Sequence, residues 1–143
     1  MTPTVPELLL GNFICLTEAP PPESSGDFLQ ARIGVTGMIS MLCAQEAERG
    51  IAARVWENGA IRDLLRAAAR TYGERFAEAA TGVDSDVSLT ALDASNAALR
   101  RALIDLHIAV ETARDAGLDT AIRALYVKMA DARRLDLPPL PAG

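Results

Sequence analysis

Residues 88–117 read SLTALDASNAALRRALIDLHIAVETARDAG, and within them Leu92, Leu99, Leu103, Leu106, Val110 and Ala113 recur with the three-and-four spacing of a helix. A stripe at that spacing lies on one face of a 3.6-residue helix, so the segment reads as a long amphipathic helix with its core on one side. Ser88 offers a side-chain oxygen to the free N–H groups of the first turn. Gly117 stands where a left-handed residue would end the helix, Leu118 follows as its hydrophobic contact, and Asp119 is placed to cap the next helix. A link that short predicts an antiparallel hairpin. The returning helix carries Ile122, Leu125, Tyr126, Met129 and Ala132 on one face and is expected to end near Leu135.

Towards the N-terminus, Ile61, Leu65, Ala68, Tyr72, Phe76 and Ala79 form a second clean stripe opposite Asp63, Arg66, Arg70 and Glu74, which predicts a helix over 60–80. Thr81 to Val87, rich in Gly, Asp and Ser, is its connection to the next helix. Asn58-Gly59 is a turn signal and is expected to end the preceding segment, which runs from an N-cap at Asp27 through Arg49, with a kink, break or change of packing partner beyond Gly50. That segment is apolar nearly all round: Phe28, Val35, Ile39, Leu42 and Cys43 share one face while Ile33, Met38 and Met41 occupy others. Thr4 and Glu7 have the form of a capping box before a short helix from Val5 to Thr17, and Pro20-Pro21-Pro22 stops it.

The expected fold is therefore all-α: an up-down-up-down antiparallel four-helix bundle over 27–136, preceded by a short helix and Pro-rich linker over 1–26 and followed by a Pro-rich disordered tail over 137–143. Composition agrees. Half of the 143 residues are apolar and 23% are charged, the balance of a packed domain. Alanine is abundant while β-branched and aromatic residues are sparse.

The net charge is -5, and the first 31 residues hold Glu7, Glu18, Glu23 and Asp27 but no Lys or Arg. Such a chain attracts neither nucleic acid nor an anionic membrane. Its most apolar run, Ile33 to Ala44, would cover about 18 Å of a hydrocarbon core about 30 Å thick. The expected location is the cytoplasm, with Cys15 and Cys43 as separate reduced thiols.

No phosphate-cradling loop of the G-x-x-x-x-G-K-[ST] or G-x-G-x-x-G form is present, nor a G-x-S-x-G nucleophile turn. One histidine makes H-E-x-x-H and paired Glu-x-x-His motifs impossible. Asp84, Asp86 and Ser88 imitate the start of a calcium loop, but Leu89 replaces the required glycine and Ser95 the closing glutamate, so these acids read as helix-start signals. No catalytic residue, metal site or cofactor is expected.

Among polar residues, Glu46 projects onto the line of Phe28, Val35, Ile39 and Leu42, where an unpaired carboxylate is costly, so that either Arg75 or Arg133 is its expected counter-ion or the helix turns to bring Glu46 to solvent. His107 sits on the flank of its helix's stripe with Glu111 at i+4. Tyr72 and Tyr126 bring hydroxyls to core faces. If the bundle holds a small apolar ligand, Glu46, Tyr72, Arg75, His107 and Tyr126 are its candidate polar contacts, with Met38, Met41 and Phe76 lining the space. An enzyme would have to use Glu46 with His107. The surplus of apolar surface points elsewhere. Ile104 and Ile108 form an i,i+4 pair opposite their helix's core stripe, and Ile33 and Met41 lie off theirs. These four are the candidate oligomer interface, and the leading expectation is a bacterial-type protein that works by association, as a homodimer or with a partner protein, without catalysis of its own.

Overall fold

The computed structural model describes residues 3–17 and 26–137, and the regular structure among them is entirely helical. In order come α1 (Val5–Thr17), α2 (Gly26–Tyr72), α3 (Arg75–Ala79), α4 (Leu89–Ala113) and α5 (Ala116–Ala132). The proline run 20–22 and the tail from 138 onward lie outside the described residues. No helix among the described residues is long and apolar enough to cross a membrane. The chain falls into two compact units, one drawn from Met1–Gly50 with Arg134–Gly143 and the other from Ile51–Arg133.

In the first unit, Glu7 reaches back to accept from the Thr4 backbone N–H at 2.7 Å and from the Thr4 hydroxyl at 2.9 Å. That is the returning half of a capping box; the hydroxyl donates to the carboxylate instead of accepting from the helix. The stretch after α5 docks on α2 through paired bonds, Gln45 Nε2 donating to the Asp136 carbonyl and the Asp136 N–H donating to Gln45 Oε1, each at 2.8 Å. Cys43, Glu46 and Gly50 are the buried residues among those described in this unit. Cys15 and Cys43 are free thiols.

The second unit has a packed core of Ile61, Leu65, Phe76, Leu103, Leu106 and Ile122, closed by Leu99, Val110 and Met129. Pairs across it give the directions of its members. Arg54 meets Asp93, Glu57 meets Asn96, and Tyr72 meets Asp115, so α2 and α4 run parallel. The chain returns between them through α3 and the irregular stretch after it, where the Ala80 carbonyl accepts from Arg66 and Asp84 accepts from Arg62. His107 meets Asp119 and Asn96 meets Arg133, so α5 runs antiparallel to α4.

Several boundaries differ from the sequence expectation. Helix α2 does not end at Asn58-Gly59 but continues to Tyr72. Of the kink, break or change of packing partner expected beyond Gly50, the helix shows no break, while the two compact units divide there, between Gly50 and Ile51. Asparagine favours turns by bonding its own backbone. Here the Asn58 side chain is fully buried and engaged elsewhere, donating to the Leu92 carbonyl and accepting from Asn96. The expected 60–80 helix is instead interrupted at Gly73, whose φ of +115° ends α2. That interruption shifts the phase of the stripe, and Ala80 is buried where Ala79 was expected.

The α4–α5 link is also relocated. Arg114, with φ 57°, takes the left-handed place expected of Gly117. Its N–H bonds the Glu111 carbonyl and the Asp115 N–H bonds the Val110 carbonyl, which closes a Schellman turn. Asp115 in place of Asp119 caps α5, accepting from the Leu118 N–H at 3.1 Å. Gly117 lies inside α5, and α5 ends at Ala132 rather than near Leu135. Ser88 caps α4 as expected, accepting from the Ala91 N–H at 3.3 Å.

Candidate functional site

The second unit carries two polar clusters, both built on α4. The first lies between α2, α4 and the end of α5. Glu57 is fully buried, yet each of its oxygens is matched: Oε1 accepts from Asn96 Nδ2 at 2.8 Å and Arg100 Nε at 2.7 Å, and Oε2 accepts from Arg133 Nε at 2.7 Å. Burial pushes its carboxyl up, but the hydrogen bonds from Arg100, Asn96 and Arg133, with the charge of Arg133, outweigh it and hold Glu57 below the usual carboxylate range. A carboxylate kept ionised with both oxygens taken anchors an ion-pair network and is poorly suited to giving a proton at neutral pH.

The network continues along α2. Arg54 Nε donates to Asp93 at 2.7 Å, and Arg62 grips Asp84 with two bonds of 2.9 and 2.8 Å while also reaching Ser95. Asp84 is held low chiefly by Arg62, against its burial. Its place in the sequence, at the start of the imitation calcium loop, is explained by this arginine.

The second cluster joins α4 to α5 beside their tight link. His107 Nε2 lies 2.8 Å from Asp119 Oδ1 and 3.7 Å from Glu111 Oε1. His107 Nδ1 lies 3.5 Å from the Tyr126 hydroxyl, with the two rings tilted at 56°. Arg123 Nε donates to the other Asp119 oxygen at 2.8 Å, and its Nη2 lies 3.3 Å from Glu111. Arg123 first and His107 second hold Asp119 below the usual carboxylate range. The three groups His107, Glu111 and Asp119 present ligand atoms all within 4.8 Å of one another, a spacing compatible with one shared cation. Next to them Leu103, Ile104, Tyr126, Met129 and Ala130, with Arg100 at the rim, line an open groove of about 380 Å³.

Of the five candidate ligand contacts, the structure brings His107 and Tyr126 together. Tyr72 turns to the α4–α5 link, its hydroxyl donating to Asp115 Oδ2 at 2.9 Å. The Arg75 guanidinium lies over the Phe76 ring, 4.7 Å from its centroid, and Phe76 itself is buried. Arg133, the other expected counter-ion of Glu46, is engaged by Glu57 and Asn96. Glu46 is buried in the first unit. Among the candidate interface residues, Ile33, Ile104 and Ile108 are each more than half exposed, and Met41 is half-buried.

Glu57 and Asn96 are missed from the sequence and Asn58 reads there only as a turn signal, although the spacing of all three marks them. Asn96 falls between Leu92 and Leu99 on the core stripe of α4, and Arg54, Glu57 and Asn58 lie one turn and two turns before Ile61 on the stripe of α2. Polar residues at consecutive core positions of two helices signal a buried network. Asp119 reads from the sequence only as a cap, which hides its pairing with His107 across the link. The chain matches no protein-family model, no curated protein and no solved structure.

Proposed function

We propose that this protein acts by association, as a cytoplasmic homodimer whose first unit is completed by a second copy of the chain. The observation that carries the reading is the apolar surface that the described residues of that unit leave exposed. Leu9, Leu10, Leu29 and Ile33 are each more than half exposed, and Phe28, Val35 and Met38 are exposed by 38–40%. Apolar surface spread around two successive helices is the mark of an interaction surface. In the same unit the enclosed Asn12 Oδ1 and Thr36 Oγ1 have no hydrogen-bond partner among the described residues, a costly state for a finished interior. The second unit adds Ile104 and Ile108.

The net charge of -5 and the absence of Lys and Arg from the first 31 residues favour a protein partner over nucleic acid or an anionic membrane. Within the second unit the member order is up-down-up-down, the 73–88 segment taking the second place. The role is structural, with no catalysis of its own.

Native mass spectrometry of the untagged full chain tests this. The expected result is a dimer that Leu29→Asp with Ile33→Asp converts to monomer while the second unit keeps its melting transition. A wild-type monomer would end the self-association reading and direct the search to a different protein partner. The groove beside Tyr126 supports a second reading, a small apolar ligand held against Ile104 and Met129. A stoichiometric extra mass, lost on denaturation and absent from Met129→Trp, would favour it.

A further inference from the structure

We infer that His107, Glu111 and Asp119 form a binding site for one divalent transition-metal ion of the zinc class. His107 and Glu111 are i and i+4 on α4, which puts both side chains on one face, one turn apart. Asp119 comes from the first turn of α5, delivered to the same place by the closed turn at Arg114 and Asp115. The scaffold is fixed on both sides, because Asp115 also accepts from Leu118 and Tyr72.

The separations suit an ion. Ligand atoms about 2.1 Å from a metal stand roughly 3.0–3.4 Å from each other in octahedral or tetrahedral arrangements. The two separations from His107 Nε2, 2.8 Å to Asp119 and 3.7 Å to Glu111, bracket that range. Side-chain movements of a few tenths of an ångström would bring these two into it, and the third pair, Glu111 and Asp119, lies within 4.8 Å and would close by movement of the exposed Glu111 side chain. His107 is largely enclosed while Glu111 is mostly exposed, so one ligand is held and another is free to adjust. The Tyr126 hydroxyl near Nδ1 is placed to accept the remaining ring proton, the kind of outer contact that orients a ligating imidazole. One imidazole with two carboxylates favours zinc and its neighbours over calcium or magnesium, which prefer all-oxygen sets. Three protein ligands leave further coordination positions open.

Arg123 now supplies the positive charge that balances the two carboxylates. Its side chain is about 61% exposed, so it can withdraw into water when an ion arrives. The guanidinium is therefore a competitor of the metal, and this gives the proposal a signature that a plain salt-bridge cluster lacks.

Calorimetric titration of the full-length protein with zinc ion, beside the His107→Gln, Glu111→Gln and Arg123→Gln variants, tests it. One equivalent should bind the wild type, and His107→Gln should weaken binding by ~100-fold or more. Arg123→Gln should tighten it about tenfold by removing the competing charge. Circular dichroism melting identifies any variant that fails to fold; Glu111→Gln, at an exposed position, should keep the fold and still lose affinity. Absence of saturable binding in both wild type and Arg123→Gln would overturn the proposal. So would binding unchanged by His107→Gln and Glu111→Gln, since the ion would then reside elsewhere, as at Cys15 or Cys43.

Discussion

Arg133 and Glu57 stand 76 positions apart in the chain and 2.7 Å apart in space, so the residue just after α5 is tied to the middle of α2 by a charged hydrogen bond. Asn96 of α4 joins both partners, donating to Glu57 at 2.8 Å and accepting from Arg133 at 3.2 Å. Three helical segments thus share one buried carboxylate.

Removing either arginine should have unequal effects. Arg133 is largely enclosed and holds one Glu57 oxygen, whereas the Arg100 side chain is 44% exposed and shares the other oxygen with Asn96. Stripping a partner from a buried charge costs roughly 3 kcal/mol, while a half-exposed partner is worth about 1 kcal/mol. Arg133→Ala should therefore lower the urea midpoint well beyond Arg100→Ala, read from the fluorescence of Trp56, the chain's single tryptophan. Equal losses would mean that Arg100 carries the charge balance of Glu57.

Stability should fall on the acid side. Glu57 and Asp84 are both held below the usual carboxylate range, the first by Arg100, Asn96 and Arg133 against its burial, the second chiefly by Arg62. A carboxyl depressed in the folded state contributes stability that is fully present above its unfolded pKa and lost as pH falls through the folded value. Urea midpoints should hold steady near neutrality and drop from about pH 5 downward. Asp84→Asn should lower the midpoint at pH 7 and flatten the acid decline. A variant curve displaced by the same amount at every pH would remove Asp84 from the account.

How much of this was legible in the sequence depends on which interactions decide each feature. The stripes of α4 and α5 were readable because local periodicity and core packing agree there, as Leu103, Leu106 and Ile122 show by being fully buried. The run of α2 through Asn58 was not, because the residue's local turn preference is overridden by Leu92 and Asn96, more than thirty positions away. The turn at Arg114 was hidden by the general preference for glycine in left-handed conformations, which pointed to Gly117. His107 was recognised with Glu111, its neighbour on the helix, while Asp119 required knowledge of where the link lies. The exposed pair Ile104 and Ile108 was visible from spacing alone.

Arg114 offers a clean stabilising change. It is exposed and sits at φ 57°, a region that costs a residue with a Cβ about 1 kcal/mol relative to glycine. Arg114→Gly keeps the backbone bonds of the Schellman turn, since they use only the N–H groups of residues 114 and 115. The expected gain is roughly 0.5–1 kcal/mol, less than the full strain because glycine loses more freedom on folding. A fall in the thermal midpoint would show that the Arg114 side chain makes a contribution larger than its backbone strain.

Tyr72 and Asp115 should behave as a coupled pair. The Tyr72 hydroxyl donates to Asp115 Oδ2 while Asp115 Oδ1 accepts from the Leu118 N–H, so one carboxylate both caps α5 and fastens the end of α2 to the α4–α5 link. These bonds, the Leu118 backbone first and the Tyr72 hydroxyl second, hold Asp115 below the usual carboxylate range. Tyr72→Phe removes only the fastening, whereas Asp115→Ala removes the cap as well and should lower the melting midpoint further. If the hydroxyl acts through Asp115 alone, Tyr72→Phe should cost nothing more once Asp115 is alanine, and the double variant should melt where Asp115→Ala does. Additive losses would instead mean that the Tyr72 hydroxyl stabilises the fold through a group other than Asp115. The zinc site makes the cycle informative beyond stability, because Asp119 is positioned by this same link: Asp115→Ala should weaken zinc binding although neither oxygen of Asp115 belongs to the proposed ligand set.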